Sequence, residues 1–297
     1  MNKHAIFIVL AGILWGTTGY FTRVLEVVGL DTGGTIVLRC GLAALFFAVY
    51  MGVKNPKLFA VKAKDIWLIL AIGLVSLLFF TFCYFYSMTL MSLSAAVILL
   101  YTAPAFVMVL SLFIFREKFT KRKIFALLLA FAGCVCSAGL GTGNLNFTFV
   151  GLLYGLGAGL GYGLYGIFAR LLLDRGYQSP TINFYACLLA SVGAGVIWGF
   201  EVPISIMASG WETAATCLVM GCLTCFLPYT LFTYGLNGVE TGKAAIMASV
   251  EVVVATFVGV LAFGEPLTFL GMVGVVLVLS AIVVLNYTPL RGVKQGK

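Results

Sequence analysis

Charge is what this sequence has least of: only 9% of its 297 residues are Asp, Glu, Lys or Arg, against about 25% in an ordinary soluble domain. A water-facing surface must be solvated, so a soluble globular fold is excluded, and no polar stretch is long enough to form a separate soluble domain. Histidine is nearly absent. The single copy, His4, stands at the start of the chain, which leaves no histidine set for acid–base or metal chemistry within the apolar part. Neither a G-x-G-D nor a G-x-S-x-G sequence occurs, so the chain reads as no enzyme, with no cofactor. Cysteine is present in eight copies, nearly all inside apolar runs, where it behaves as a small core residue. Cys222 and Cys225 form a C-x-x-C, but no second pair or nearby histidine completes a metal site.

What is present is oil. Hydrophobic residues make up 62% of the chain, mean hydropathy is +1.12, and there are 35 glycines, a composition that suits helices packed in lipid. A spanning helix needs about 20 residues, and apolar runs of that order fall at 5–23, 34–52, 66–86, 94–115, 123–140, 149–169, 181–200, 213–235, 243–263 and 267–286. The first run lacks a small-x-small cleavage site and is read as retained. All basic residues except Arg23 and Arg39 fall in the segments that are cytoplasmic if both termini are, including Arg291, Lys294 and Lys297, whereas Glu26, Asp31, Glu201, Glu212 and Glu265 fall on the other side. The positive-inside rule then places both ends in the cytoplasm. The net charge of +8 is a topology signal, and nucleic acid is not expected as a partner.

The chain also resembles itself. Trp15-Gly-Thr-Thr-Gly-Tyr-Phe-Thr-Arg23 aligns with Tyr162-Gly-Leu-Tyr-Gly-Ile-Phe-Ala-Arg170, and a similar offset sets Tyr86, Ala96 and Glu117 against Tyr234, Ala244 and Glu265. Two five-helix halves result, residues 1–142 and 143–297. Five is odd, so the halves cross the membrane in opposite senses, the inverted-repeat plan in which substrate is held near the midplane. The fold class is therefore all-α integral membrane, with ten transmembrane helices as two inverted five-helix repeats and both termini cytoplasmic.

At Trp15-Gly16, Leu38-Arg39, the run from Pro104 to Glu117 before a basic turn, and the run from Glu251 to Gly264-Glu265-Pro266-Leu267-Thr268, the chain resembles the drug/metabolite transporter superfamily, in its ten-helix branch with two EamA-type domains. Val252 departs from the pattern, standing where the family often has proline after the acid. The first-helix glutamate of the small four-helix cation exporters is also missing. The resemblance implies an inner-membrane solute carrier, often an exporter of amino acids or related metabolites, working by alternating access. Multidrug or lipophilic-cation export, lipid flipping and a channel share the architecture and stay open.

The residues supply their own site hypothesis. Glu251 is the one acid deep in an apolar run, about 13 Å into its helix, and an ionisable group at that depth faces the bundle interior or a wet cavity. Arg39, about 9 Å deep from the other side, either pairs with Glu251 or a substrate carboxylate or snorkels to the interface. Trp15 and Tyr162 are repeat equivalents, and Tyr84, Tyr101, Tyr229 and Tyr234 put further hydroxyl-bearing rings at membrane depth, either as cavity wall or as ordinary packing. Gly155, Gly159 and Gly163, with Gly151, recur every fourth residue and predict a smooth face for close helix packing. Pro104 and Pro228 are hinge positions or simple bends. The expected partners are the bilayer, a small-molecule substrate and, where Glu251 titrates, protons, with the chain a monomer or homodimer.

Overall fold

Long apolar runs with few breaking residues have one way to satisfy their backbone in lipid, and that is helix. The computed structural model describes residues 3–138 and 148–286, and all regular structure among them is helical. The proposed junction at 142/143 and the cluster Arg291, Lys294 and Lys297 lie outside the described residues.

The first run is divided into α1 (Lys3–Gly16) and α2 (Thr18–Glu26), and α3 (Thr32–Lys54) follows, capped by the Asp31 side chain on the Gly34 amide at 2.7 Å. The third run is α4 (Ile66–Leu70), a stretch of wide i→i+5 turns at Ala71–Leu78, and α5 (Phe79–Leu90). The fourth is α6 (Leu93–Leu100) and α7 (Ala103–Phe115), and the fifth is α8 (Lys121–Ser137). Then come α9 (Phe149–Asp174) and α10 (Ser179–Trp198), with the short α11 (Glu201–Met207) behind them. The eighth run repeats the plan of the third: α12 (Trp211–Gly221), wide turns at Cys222–Phe226, then α13 (Leu227–Leu236). The ninth, α14 (Thr241–Ala248) and α15 (Val250–Phe263), repeats the divided plan of the fourth, and α16 (Phe269–Asn286) ends the described chain.

Among the described residues, nine helical segments are long and apolar enough to cross a membrane. The remaining predicted span, the fifth, corresponds to α8, which is helical but has 17 residues, beginning with Lys121, Arg122 and Lys123. Its short length and basic first turn set it apart from the nine. It packs along α16, and the two backbones touch: a Cβ on Gly133 would lie 2.8 Å from the Gly274 carbonyl oxygen.

Close approach also fixes α9. A Cβ on Gly159 would stand 2.7 Å from the Leu99 carbonyl oxygen, and one on Gly163 would stand 3.2 Å from that of Ala103, while Gly155 meets Leu99 as well. The predicted small-residue face therefore receives α6 and the start of α7. Pro104 sits in the first turn of α7 and Pro228 in the first turn of α13, where a missing N–H costs little. Both mark places where a helix restarts.

Interruptions in the two halves coincide. Wide turns occur in the third and eighth runs, breaks at Tyr101–Thr102 and at Ser249, and left-handed residues at Arg116 (φ 54°) and Gly264 (φ 65°), each pair at a nearly constant separation along the chain. The break at Ser249 occurs without the proline that position 252 lacks.

Candidate functional site

The two breaks face each other. Between them lies a cavity lined by Trp15 from α1, Tyr101 and Pro104 at the fourth-run break, Tyr162, Gly163 and Tyr165 from α9, Tyr229 and Phe232 from α13, and Ser249 and Glu251 at the ninth-run break. It offers about 40 Å³ to the centres of water-sized molecules, room for a few waters. A metabolite needs more space, so a bound state requires the helices to part.

Glu251 is held by one neighbour above all. The Tyr162 hydroxyl reaches its Oε1 at 3.1 Å and its Oε2 at 3.0 Å, and Tyr101 lines the same cavity. A single donor of this kind holds an acid in place without consuming all its acceptor capacity, since a carboxylate has about four lone-pair sites. The rings make the rest of the wall. Trp15 contacts Tyr229 edge-on at 5.2 Å, Phe232 at 5.3 Å and Tyr162 at 6.5 Å between centroids, and Tyr165 lies 4.6 Å from Tyr229. Beneath them Tyr165 donates to Asn183 Oδ1 at 2.5 Å, and Asn183 in turn donates to Ser179 and Thr233 at 3.2 and 3.3 Å. That buried network fixes the Tyr165 ring from behind.

Of the residues expected from sequence, Trp15, Tyr101, Tyr162, Tyr229 and Glu251 meet at this cavity, together with Pro104 and Gly163. Tyr84 stands one ring behind, reaching Tyr162 through Phe80 at 6.3 and 5.4 Å. Arg39 takes a different place from the one its depth suggested. It forms no ion pair among the described residues, its Nε is buried without a hydrogen-bond partner, and it lies among Cys40, Cys187, Cys225 and Tyr229, of which only Tyr229 lines the cavity. Tyr234 is a correction: it is 49% exposed with its ring against Phe7 at 6.5 Å. Five residues past Tyr229 on one helix is about 140° away in direction, so both cannot face the cavity.

A second polar cluster lies at the end of the bundle where α7 stops. The Glu117 carboxylate accepts from the amides of Thr241 at 2.6 Å and Gly242 at 3.2 Å, the first two of α14. Lys123, only 3% exposed, lies 3.6 Å from Glu117 and 3.0 Å from Glu240, which Lys243 also meets at 3.1 Å. Burial pushes the Glu240 carboxyl up, but the adjacent Lys123 and Lys243 ammonium groups outweigh it and leave it below the usual carboxylate range. Phe232 and this cluster were not anticipated. Phe232 follows Tyr229 by three residues, a spacing that puts it on the same face; the Glu117 contact joins residues 124 apart and has no local signature.

A helix bundle of this kind, with an acid and a ring-lined cavity between two similar halves, defines a multi-pass membrane protein of the transporter class. The model of the EamA-like transporter family matches it twice, at residues 2–139 and 149–287, and the chain belongs to that family, within the drug/metabolite transporter superfamily. It is similar to an uncharacterized transporter of Archaeoglobus fulgidus, 29% identical over 279 residues covering 93% of this chain and 94% of that protein. It is also similar to the uncharacterized transporter YwfM of Bacillus subtilis, 22% identical over 294 residues covering 97% and 95%. A crystal structure at 14% identity superposes with a TM-score of 0.79 over 95% of this chain and 96% of its own, which supports the fold.

Proposed function

We propose that the protein is a secondary transporter of the cell's inner membrane that moves small amphipathic metabolites, amino acids among them, outward by alternating access. In this reading ten helices cross as two inverted halves, α8 is the fifth, both termini are cytoplasmic, and the substrate sits between the breaks at Tyr101–Thr102 and Ser249. The observation that carries it is the Glu251 carboxylate, held by Tyr162 within a ring-lined cavity to which both halves contribute. An amine fits beside that carboxylate, and rings take the apolar body of the same molecule. Because Arg39 does not line the cavity in this state, a lipophilic cation is the second reading, since it pairs with Glu251 and carries no carboxylate for a cationic side chain to meet.

Thermal stabilisation of the purified protein tests the site. A ligand that binds only the folded state, at about 100 times its dissociation constant, adds roughly 2.7 kcal/mol. Stabilisation by amino acids or amines is expected, with its loss in a folded Glu251→Gln variant. Unchanged stabilisation in that variant removes Glu251 from the site, and stabilisation by bulky cations alone selects the second reading.

A further inference from the structure

The chain turns after α7 and after α15 in the same way. Each passes through a left-handed residue, Arg116 and Gly264, and each returns the next amide to its helix, Glu117 N–H to Ser111 O and Glu265 N–H to Gly259 O, both at 3.2 Å. The two glutamates are thus presented by equivalent backbones, yet their carboxylates are engaged differently. Glu117 is seated on the first amides of α14 at 2.6 and 3.2 Å. The repeat makes the first amides of α6, those of Leu93 and Ser94, the corresponding seat for Glu265. Glu265 is not on it: its carboxylate bonds Arg23 at 2.6 Å, with both side chains 47% exposed and Arg23 lying over the Phe263 ring at 4.7 Å. Packing follows the same asymmetry. α14 lies against α7, whereas α6 and α15 make no comparable contact.

We propose that Glu117 and Glu265 are alternating latches, each closing one end of the central helix pair by docking on the other helix's first amides. In the present state the end at Glu117 is latched. In the opposite state Glu117 leaves α14, and Glu265 leaves Arg23 for the start of α6. A helix N-terminus offers unpaired N–H groups and a partial positive charge, so a carboxylate is a fitting plug for either seat. Arg23 competes with α6 for Glu265 and thereby holds its own end open. The proposal rests on the alternating-access reading above and on the halves being inverted, and it assigns residues that never touch the cavity.

Two substitutions that break the same ion pair separate a latch from a structural bridge. Arg23→Gln frees Glu265 to dock, which favours the opposite state and opens the Glu117 end; Glu265→Ala removes the outer plug and disfavours it. Hydrogen exchange of the full chain in lipid nanodiscs, read by mass spectrometry on the segment 239–244, reports opening at the Glu117 end. Exchange there is expected to rise about two- to fivefold in Arg23→Gln, the size of one exposed ion pair, and to fall in Glu265→Ala, where the opposite state loses its charge-assisted seat. Both sites are exposed, so both variants are expected to fold, and Glu117→Ala supplies the direct comparison with a rise at 239–244. Shifts of the same sign in Arg23→Gln and Glu265→Ala, or no shift in either, overturn the proposal. No substrate is present in this experiment, so its failure leaves the Glu251 site standing, and the failure of ligand stabilisation leaves the latches standing.

Discussion

Tyr162 and Glu251 form the closest side-chain pair in the cavity, and the hydroxyl is shared between both carboxylate oxygens. A hydrogen bond to a charged group contributes about 1.5–3 kcal/mol. Tyr162→Phe keeps the ring against Trp15 and Phe80 and removes only that donor. Its expected effect is a lower melting temperature with the fold retained, together with a loss of up to about tenfold in affinity for any ligand that engages Glu251; thermal scans with and without ligand measure both. Glu251, Trp15, Tyr101, Tyr162 and Tyr229 were legible because a lone acid in an apolar run and repeat-matched rings stand out in a sequence. Tyr234 was misplaced because depth along a helix was read without direction around it. Arg39 misled for a related reason: its depth is right, but the groups it faces are cysteines from α3, α10 and the wide turns before α13, and no local pattern reveals those partners.

At the scale of elements, the ten apolar runs were plain in the sequence and the interruptions inside them were not. Pro104 pointed to the fourth-run break, but the ninth breaks at Ser249 with no proline or glycine at the joint. Both breaks lie at the cavity, where packing and polar side chains compensate for freed backbone groups. Gly159 shows how tightly one of them is held. The position has no room for a methyl beside the Leu99 carbonyl, so Gly159→Ala is expected to destabilise by about 1–3 kcal/mol through overpacking. Gly52, also helical, has nothing within 4 Å of its missing Cβ, and Gly52→Ala is expected to be neutral or to gain up to about 1 kcal/mol. Comparing the melting temperatures of the two variants separates close packing from helix propensity.

Over the whole molecule, the two family matches and the coinciding wide turns, breaks and left-handed residues describe two copies of one plan held in different local arrangements. Sequence self-similarity revealed the plan; only coordinates reveal that one glutamate is seated and its counterpart is not. The pairing of α8 with α16 has a consequence for the surroundings. After its three basic residues α8 has an apolar length of about 21 Å, and α16 measures about 27 Å, against roughly 30 Å of hydrocarbon. Phe125, Leu128, Val276 and Val283 on this pair are all more than half exposed, so it is lipid that meets the short side. In the ten-helix reading proposed above, acyl chains compress there, at fractions of a kcal/mol per Å, and thermal stability measured across a series of lipids should peak in the shorter-tailed ones. Bilayer thickness thereby becomes a variable that acts on this protein from the α8–α16 flank.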